Sequence, residues 1–166
     1  KPPMTPNSST YIQKTAGMTL QLVLRQSFGL RHLDIGRGGG RPYPPECLGV
    51  DLRRMPFVRS VAGHDLQPFA DHGPLGSRLV WFTFVRDPIA RFLSHYQHIV
   101  EKKGRSIPLE AFVQDPKHAS RQVEFLAGAQ DLEKAKEVVR KRMSCVGRVD
   151  RFHESLVLLR ERSGFS

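Results

Sequence analysis

The sequence predicts an α/β protein in which a central, mostly parallel sheet is flanked by helices. Two observations support this prediction. Residues 79–85 form a nearly continuous run of apolar and β-branched residues, which is typical of a strand buried on both faces. Short strand patterns also alternate with helical patterns along the chain, and that alternation favours parallel strands joined by helices. The 166 residues are interpreted as a single domain.

Four strands are predicted from short runs that contain apolar or β-branched residues and are bounded by turn formers. The stretch 1–9, rich in Pro, Ser and Asn, is predicted to be a loose N-terminal arm before the first strand. The Gly- and Pro-rich stretch 36–45 is predicted to be a loop, and 71–77 is rich in turn formers. The predicted strands are residues 10–13, 57–62, 79–85 and 145–147.

Six helices are predicted from the spacing of apolar residues and from their end signals. In the first, Leu20, Leu24 and Phe28 recur near helical spacing, and Gly29 follows as a stop. In the second, Asp87 can cap the helix and Pro88 suits its first position. The predicted helices are residues 17–28, 88–102, 108–114, 120–126, 131–143 and 152–162.

The composition limits the classes of function. The chain has 26 Lys and Arg against 16 Asp and Glu, a net charge of +10, which suits an anionic partner such as a nucleotide, a glycan or a nucleic acid. Cys47 and Cys145 are the two cysteines and form no CxxC pair, so neither a zinc site nor a disulfide framework is indicated. No run approaches the roughly 18 apolar residues of a membrane span.

The first loop with functional character follows the first predicted strand. Lys14 and Thr15 match the end of the P-loop pattern GxxxxGK[ST], but Ser9 and Gln13 replace its glycines. Successive backbone N–H groups at a helix start, a close approach at a glycine and a lysine charge still form a phosphate cradle. The alternative is that a lysine and a threonine merely begin an exposed helix. The predicted cradle comprises Lys14, Thr15, Ala16, Gly17, Met18 and Thr19.

The second loop follows the strand at 79–85. Arg86 comes at the end of this strand, and Ser94 follows eight residues later, about two helical turns along the next helix. An arginine fork and a serine hydroxyl suit a phosphate, whereas the alternative is an Arg86 paired with Asp87. Two such loops predict a ligand with two separate phosphate-type groups.

Both loops resemble motifs of one enzyme family. The run 14–19 resembles the 5′-phosphosulfate loop of sulfotransferases that use 3′-phosphoadenosine 5′-phosphosulfate (PAPS), and 86–96 resembles their 3′-phosphate motif. The segments 121–128 and 146–156 resemble downstream segments of the same family. The likeness extends from about residue 10 to residue 160 and is strongest to the carbohydrate (Golgi-type) sulfotransferases and their bacterial relatives. Gln13 and Met18 depart from the pattern, which usually has Pro and often Thr or Ser there.

The resemblance implies a P-loop-like three-layer sandwich and transfer of a sulfuryl group from PAPS to an acceptor hydroxyl. The expected acceptor is an anionic or neutral glycan, and the expected product of the donor is adenosine 3′,5′-bisphosphate. Lys14 would stabilise the leaving oxygen, Thr19 would hold the 5′-phosphate, and Arg86 with Ser94 would hold the 3′-phosphate, without a metal. Relatives often continue beyond the last matching helix, so a C-terminal truncation stays open.

The general base is predicted among seven histidines. His64 is favoured, because the strand predicted at 57–62 would deliver it to a strand end, where α/β sites form. Its segment also resembles the one in which glycan-modifying members of the family have a catalytic His. The alternatives are a His64 that only packs near the surface, and Asp65 as the base. The remaining histidines are His32, His72, His95, His98, His118 and His153.

Two other functions stay open at this point. A nucleotide kinase or triphosphatase would need the complete P-loop and a magnesium carboxylate. A basic module for nucleic acid would need stacking aromatics among its basic residues, whereas Trp81, Phe82 and Phe84 lie in an apolar strand, so no nucleic-acid partner is predicted. The compartment is open: cytoplasmic for a bacterial chain, or Golgi lumen for a piece of a larger eukaryotic protein.

Overall fold

A parallel sheet forms the centre of the molecule. The computed structural model describes residues 7–10, 12–36, 43–102 and 104–163. The strands of this part pair in parallel in the order β2-β3-β1-β4-β5, which confirms the predicted α/β class with a parallel sheet. They are β1 (Asn7–Thr10), β2 (His32–Asp34), β3 (Ser60–Gly63), β4 (Val80–Val85) and β5 (Met143–Arg148).

Helices connect the strands. The third of them is followed by a π-helical turn at His98–Lys102, and short 3₁₀ segments lie at Gly29–Arg31, Gly73–Arg78 and Val149–Arg151. In the part of the chain described, no helix has both the length and the hydrophobicity needed to cross a membrane. The helices are α1 (Gly17–Phe28), α2 (Pro45–Arg54), α3 (Pro88–Gln97), α4 (Leu109–Gln114), α5 (Arg121–Ala127), α6 (Leu132–Arg142) and α7 (Phe152–Ser163).

Apolar residues on both faces of the sheet form the core. On one face, Val61 of β3 and Trp81 of β4 pack in a cluster with Leu48 of α2. Their chain neighbours Ala62 and Phe82 point to the opposite face, because side chains alternate along a strand. There they join a cluster with apolar residues of α1 and α7. Helices therefore cover both faces of the sheet, which agrees with the prediction that the strand now seen at Val80–Val85 is buried on both faces.

The first strand differs from its prediction. β1 occupies Asn7–Thr10 rather than 10–13, so the prediction of a loose arm is wrong for residues 7–9, and residues 1–6 lie outside the described part. The physical reason is the turn that follows, in which Lys14 and Ala16 have positive φ and cannot continue a strand. The sequence of β1 is polar and lacks the alternation of apolar and polar residues that predicts a strand. Its pairing with β3 and β4 therefore stabilises the extended conformation.

Two elements were not predicted, and one strand is displaced. β2 has three residues, too short for a periodic pattern. The predicted loop 36–45 overlaps α2, because Pro45 takes the first helical position, where its missing N–H costs no hydrogen bond. Residues 37–42 of that loop lie outside the described part. The strand predicted at 57–62 is observed at Ser60–Gly63.

Candidate functional site

The loop between β1 and α1 is a tight turn with left-handed backbone. Lys14 has φ 66° and Ala16 has φ 60°, a conformation that residues other than glycine adopt rarely. Thr15 between them is almost fully buried, and its hydroxyl donates a 2.8 Å hydrogen bond to the carbonyl oxygen of Ile12. The Thr15 hydroxyl therefore fixes the loop, which leaves its backbone N–H as the group that can meet a ligand.

The start of α1 presents backbone donors. Its N-cap residue is Ala16, which has no side-chain oxygen to cap the helix, and the N–H of Leu20 is bonded to the Ala16 carbonyl at 3.0 Å. The N–H groups of Gly17, Met18 and Thr19 precede that bond and belong to the first turn, which has no acceptor within the helix. These donors and the positive end of the helix dipole suit an anion.

A cleft of about 750 Å³ opens at the carboxyl ends of β2 and β3. Gly63 ends β3 at this cleft, and a Cβ there would collide with the carbonyl oxygen of Ile35, so only glycine fits. His64 follows directly and is exposed to the cleft, with Asp65 beside it. The lining comprises Gln13, Gly17, Met18, Gln21, Asp34, Ile35, Gly36, Ala62, Gly63, His64, Asp65, Leu66, Gln67, Phe69, Arg121, Glu124, Phe125 and Gly128.

The structure thus brings part of the predicted site together. Gly17 and Met18 share the cleft wall with His64. The other predicted ligands are not among the described residues that line this cleft: Lys14, Thr15, Ala16, Thr19, Arg86 and Ser94.

The second loop follows β4 as predicted. Its Asp87 accepts a 2.9 Å hydrogen bond from the N–H of Ala90 and so caps α3. The described ion pairs include none between Arg86 and Asp87. Ser94 lies half-buried on α3. Gln122 of α5 bonds the Arg86 backbone with its side-chain amide, through 2.9 Å and 2.8 Å contacts.

The family follows from a comparison of the whole chain with protein-family models. The model described as the sulfotransferase family matches residues 8–133, which include both loops and the cleft. The chain belongs to the sulfotransferase family. A search of curated proteins finds no match. Sulfotransferases transfer sulfuryl groups, generally from a sulfonucleotide donor, so this chain is a transferase.

Helix α5 forms a wall of the cleft that the sequence did not predict. Arg121, Glu124 and Phe125 of α5 line the cleft opposite the start of α1. Arg121 donates a 2.9 Å hydrogen bond to Glu124 and lies 5.7 Å from the centre of the Phe125 ring. In the sequence, the run 121–128 is identifiable only by its resemblance to a downstream segment of the family. Its place on the cleft depends on the packing of α5, which no local pattern indicates.

Asp34 is a second part of the cleft that sequence reasoning missed, because β2 was not predicted. Its carboxylate accepts hydrogen bonds from Gln21 (2.7 Å), Arg25 (2.6 Å) and His32 (3.0 Å). Burial alone would raise the pKa of Asp34, but these three hydrogen bonds outweigh it and hold the pKa below its usual range. The cleft thus contains a carboxylate that hydrogen bonds hold in place at the end of β2.

Behind the second loop, α3 buries positive charge. Arg91 is 3% exposed, donates a 2.9 Å hydrogen bond to the carbonyl oxygen of His118, and has its pKa lowered by burial and by Arg121. His95 is also buried, with its ring edge-on to Phe112 at 5.7 Å. Burial, followed by the neighbouring positive charges, lowers the pKa of His95 to about 4. His95 therefore packs as a neutral ring.

This burial predicts a loss of stability in acid. The unfolded chain protonates His95 near its ordinary pKa of 6.5, whereas the folded chain does so only near pH 4. The free energy of unfolding should therefore fall from pH 6.5 to pH 4, by up to about 3 kcal/mol from this residue. The positive neighbours that lower the pKa of His95 are Arg91, His98, His118 and Arg121.

Urea unfolding at a series of pH values tests this prediction. His95→Phe should flatten the slope between pH 6.5 and pH 4, because the ring is retained and the titrating group is removed. His153→Phe, at an exposed position on α7, is the matched control and should keep the wild-type slope. A His95→Phe protein with the wild-type slope would contradict the assignment.

Proposed function

We propose that this sulfotransferase transfers a sulfuryl group from PAPS to a hydroxyl group of a carbohydrate, on a P-loop-like three-layer sandwich. One observation carries the proposal: the donor-rich start of α1 and His64 line the same cleft. An anion held at the helix start would therefore lie beside a histidine that can take a proton. The sheet order β2-β3-β1-β4-β5, with helices on both faces, supports the sandwich.

The loop 14–19 supports the 5′ end of the donor. The N–H groups of Gly17, Met18 and Thr19 would hold the phosphate oxygens, and exposed Thr19 can add its hydroxyl. Lys14 would stabilise the negative charge that develops on the bridging oxygen as the bond to sulfur breaks. When bound, the donor supplies the activated sulfuryl group, and the chain supplies position and charge.

Arg86 and Ser94 support a separate site for the 3′-phosphate. Arg86 follows β4 and its guanidinium is not engaged by Asp87, which caps α3 instead. Ser94 lies two helical turns further along α3. A fork-shaped cation and a hydroxyl donor match a phosphate dianion. A second phosphate site distinguishes PAPS from donors that carry phosphates at the 5′ end alone.

His64 is proposed as the general base. His64 lines the cleft, its imidazole in the neutral form has a nitrogen that can accept a proton, and Gly63 before it fixes the point at which the chain leaves β3. His64 would take the proton of the acceptor hydroxyl as the new O–S bond forms. Asp65 also lines the cleft and stays the alternative base.

The cleft lining supports an uncharged sugar as the acceptor. Carboxylates and amides there can accept and donate hydrogen bonds to hydroxyl groups, and Phe69 and Phe125 can cover an apolar sugar face. Among the described residues of this lining there are three carboxylates, those of Asp34, Asp65 and Glu124, and one arginine, Arg121. Of the two acceptors expected from the sequence, the neutral glycan therefore fits better than the anionic one.

Calorimetric titration with adenosine 3′,5′-bisphosphate tests the proposal, with ADP plus magnesium as the comparison. We expect binding of the bisphosphate and much weaker binding of ADP, because ADP carries no 3′-phosphate. Preference for ADP with magnesium would overturn the proposal in favour of a nucleotide kinase or triphosphatase. Absence of binding to both ligands would also count against it.

Arg86→Ala tests the 3′-phosphate site. We expect the affinity for adenosine 3′,5′-bisphosphate to fall by about tenfold to a hundredfold, since a charge-assisted hydrogen bond is lost. The affinity for adenosine 5′-monophosphate should stay within about twofold, because that ligand has no 3′-phosphate. Arg54→Ala, at the exposed end of α2, is the control. An unchanged bisphosphate affinity would contradict the role of Arg86.

A further inference from the structure

We propose that Gln122 is a positioning residue that holds Arg86 where its guanidinium can meet the 3′-phosphate. The inference rests on the proposed function and assigns a role to a residue that the two cofactor loops do not contain. Gln122 lies on α5, far along the chain from Arg86, and touches the backbone of Arg86 rather than its charge.

The contact between the two residues is doubled. The N–H of Arg86 donates to Oε1 of Gln122 at 2.9 Å, and Nε2 of Gln122 donates to the Arg86 carbonyl at 2.8 Å. A carboxamide carries the same donor and acceptor as a peptide group, so Gln122 gives Arg86 both of the partners that a neighbouring strand would supply. Two bonds at one residue fix both its position and its orientation.

Arg86 needs such a contact because it lies between two fixed elements. The pairing of β4 with β5 ends at Val85, opposite Arg148, so Arg86 is one residue beyond the sheet. The cap made by Asp87 fixes the start of α3 immediately after it. Gln122 forms hydrogen bonds to the backbone of Arg86 between these two elements. These bonds fix the backbone position from which the long arginine side chain extends.

Gln122 also links Arg86 to the cleft. Its neighbours Arg121 and Glu124 line the cleft with His64. α5 itself is held at its end, where Gly128 has φ 75° and Phe69 packs 2.6 Å from the position of an added Cβ, so no larger residue fits. One short helix therefore contacts both the proposed acceptor cleft and the proposed 3′-phosphate arginine.

Gln122→Met tests the inference, because it keeps the length of the side chain and removes both hydrogen bonds. We expect the ratio of the affinities for adenosine 3′,5′-bisphosphate and adenosine 5′-monophosphate to fall by about tenfold, with the 5′-monophosphate affinity unchanged. In turnover, KM for the donor should rise and kcat should change little. Gln130→Ala is the matched control, since this glutamine also bonds a backbone carbonyl, that of Pro116, at 3.2 Å.

A double-mutant cycle separates positioning from general stabilisation. If Gln122 acts through Arg86, Gln122→Met should have no further effect on bisphosphate affinity in an Arg86→Ala protein. Additive effects, an unchanged ratio, or an equal loss of affinity for both ligands would each overturn the inference. Gln122→Glu, which keeps the acceptor and removes the donor, replaces the Met variant if that protein does not fold. Failure of the wild type to prefer the bisphosphate would instead count against the proposed function.

Discussion

Lys14→Ala should lower kcat by about a thousandfold while the protein stays folded. A preorganised charge directed at the leaving oxygen stabilises the transition state more than the ground state, and removing such a group typically costs about 10²–10³ in kcat. Lys14 lies in the left-handed region at φ 66°, and alanine has the same backbone strain there as lysine. The substitution therefore removes the side-chain charge with little change in backbone preference.

Initial rates with PAPS and a neutral oligosaccharide acceptor would measure this loss. Lys136→Ala is the matched control, because this lysine pairs with Glu133 on the surface of α6, and it should keep wild-type turnover. Lys14→Arg retains the charge at a different geometry and should recover part of the rate. More than a tenth of the wild-type kcat in Lys14→Ala would refute a role at the leaving oxygen.

His64→Ala should lower turnover by about 10²–10⁴-fold and leave the affinity for adenosine 3′,5′-bisphosphate within about twofold. The two readouts separate because a general base acts on the acceptor hydroxyl and has no part in holding the donor phosphates. His64 is exposed at the end of β3, so its truncation leaves no cavity in the core.

Two further variants decide between the cleft residues. His153→Ala, an exposed histidine on α7, should have wild-type turnover. Asp65→Asn tests the alternative base on the same wall of the cleft. Wild-type turnover in His64→Ala together with a large loss in Asp65→Asn would transfer the role to Asp65.

Elements with a dense local pattern were predicted closely from the sequence. α1 has the predicted bounds, because its apolar spacing and the following glycine are local signals. β4 differs by one residue, since a continuous apolar run is hard to mistake. The predicted position of β1 was wrong, and β2 was not predicted. Both strands owe their conformation to pairing with β3, and a segment of three or four residues carries no sequence pattern that predicts such pairing.

The same distinction holds for the candidate site. The place of His64 at a strand end on the cleft agrees with its prediction, because a strand followed by Gly63-His64 is a local pattern. The wall formed by α5 could not be predicted, since the contact of Gln122 with Arg86 joins residues 36 positions apart. Contacts of this kind depend on how helices pack on the sheet, which single-sequence periodicity does not encode.

The place of β1 in the middle of the sheet has a consequence for how the chain folds. β1 precedes both of its neighbours along the chain: Asn7 pairs with Ser60 on one side and with Val80 on the other. During synthesis this strand must wait until both neighbours have left the ribosome, and such long-range pairing slows folding. Its four residues, Asn-Ser-Ser-Thr, are all polar, so the unpaired strand has a low tendency to aggregate through hydrophobic contacts during that delay. The central strand therefore adds no aggregation-prone segment of its own while the sheet is incomplete.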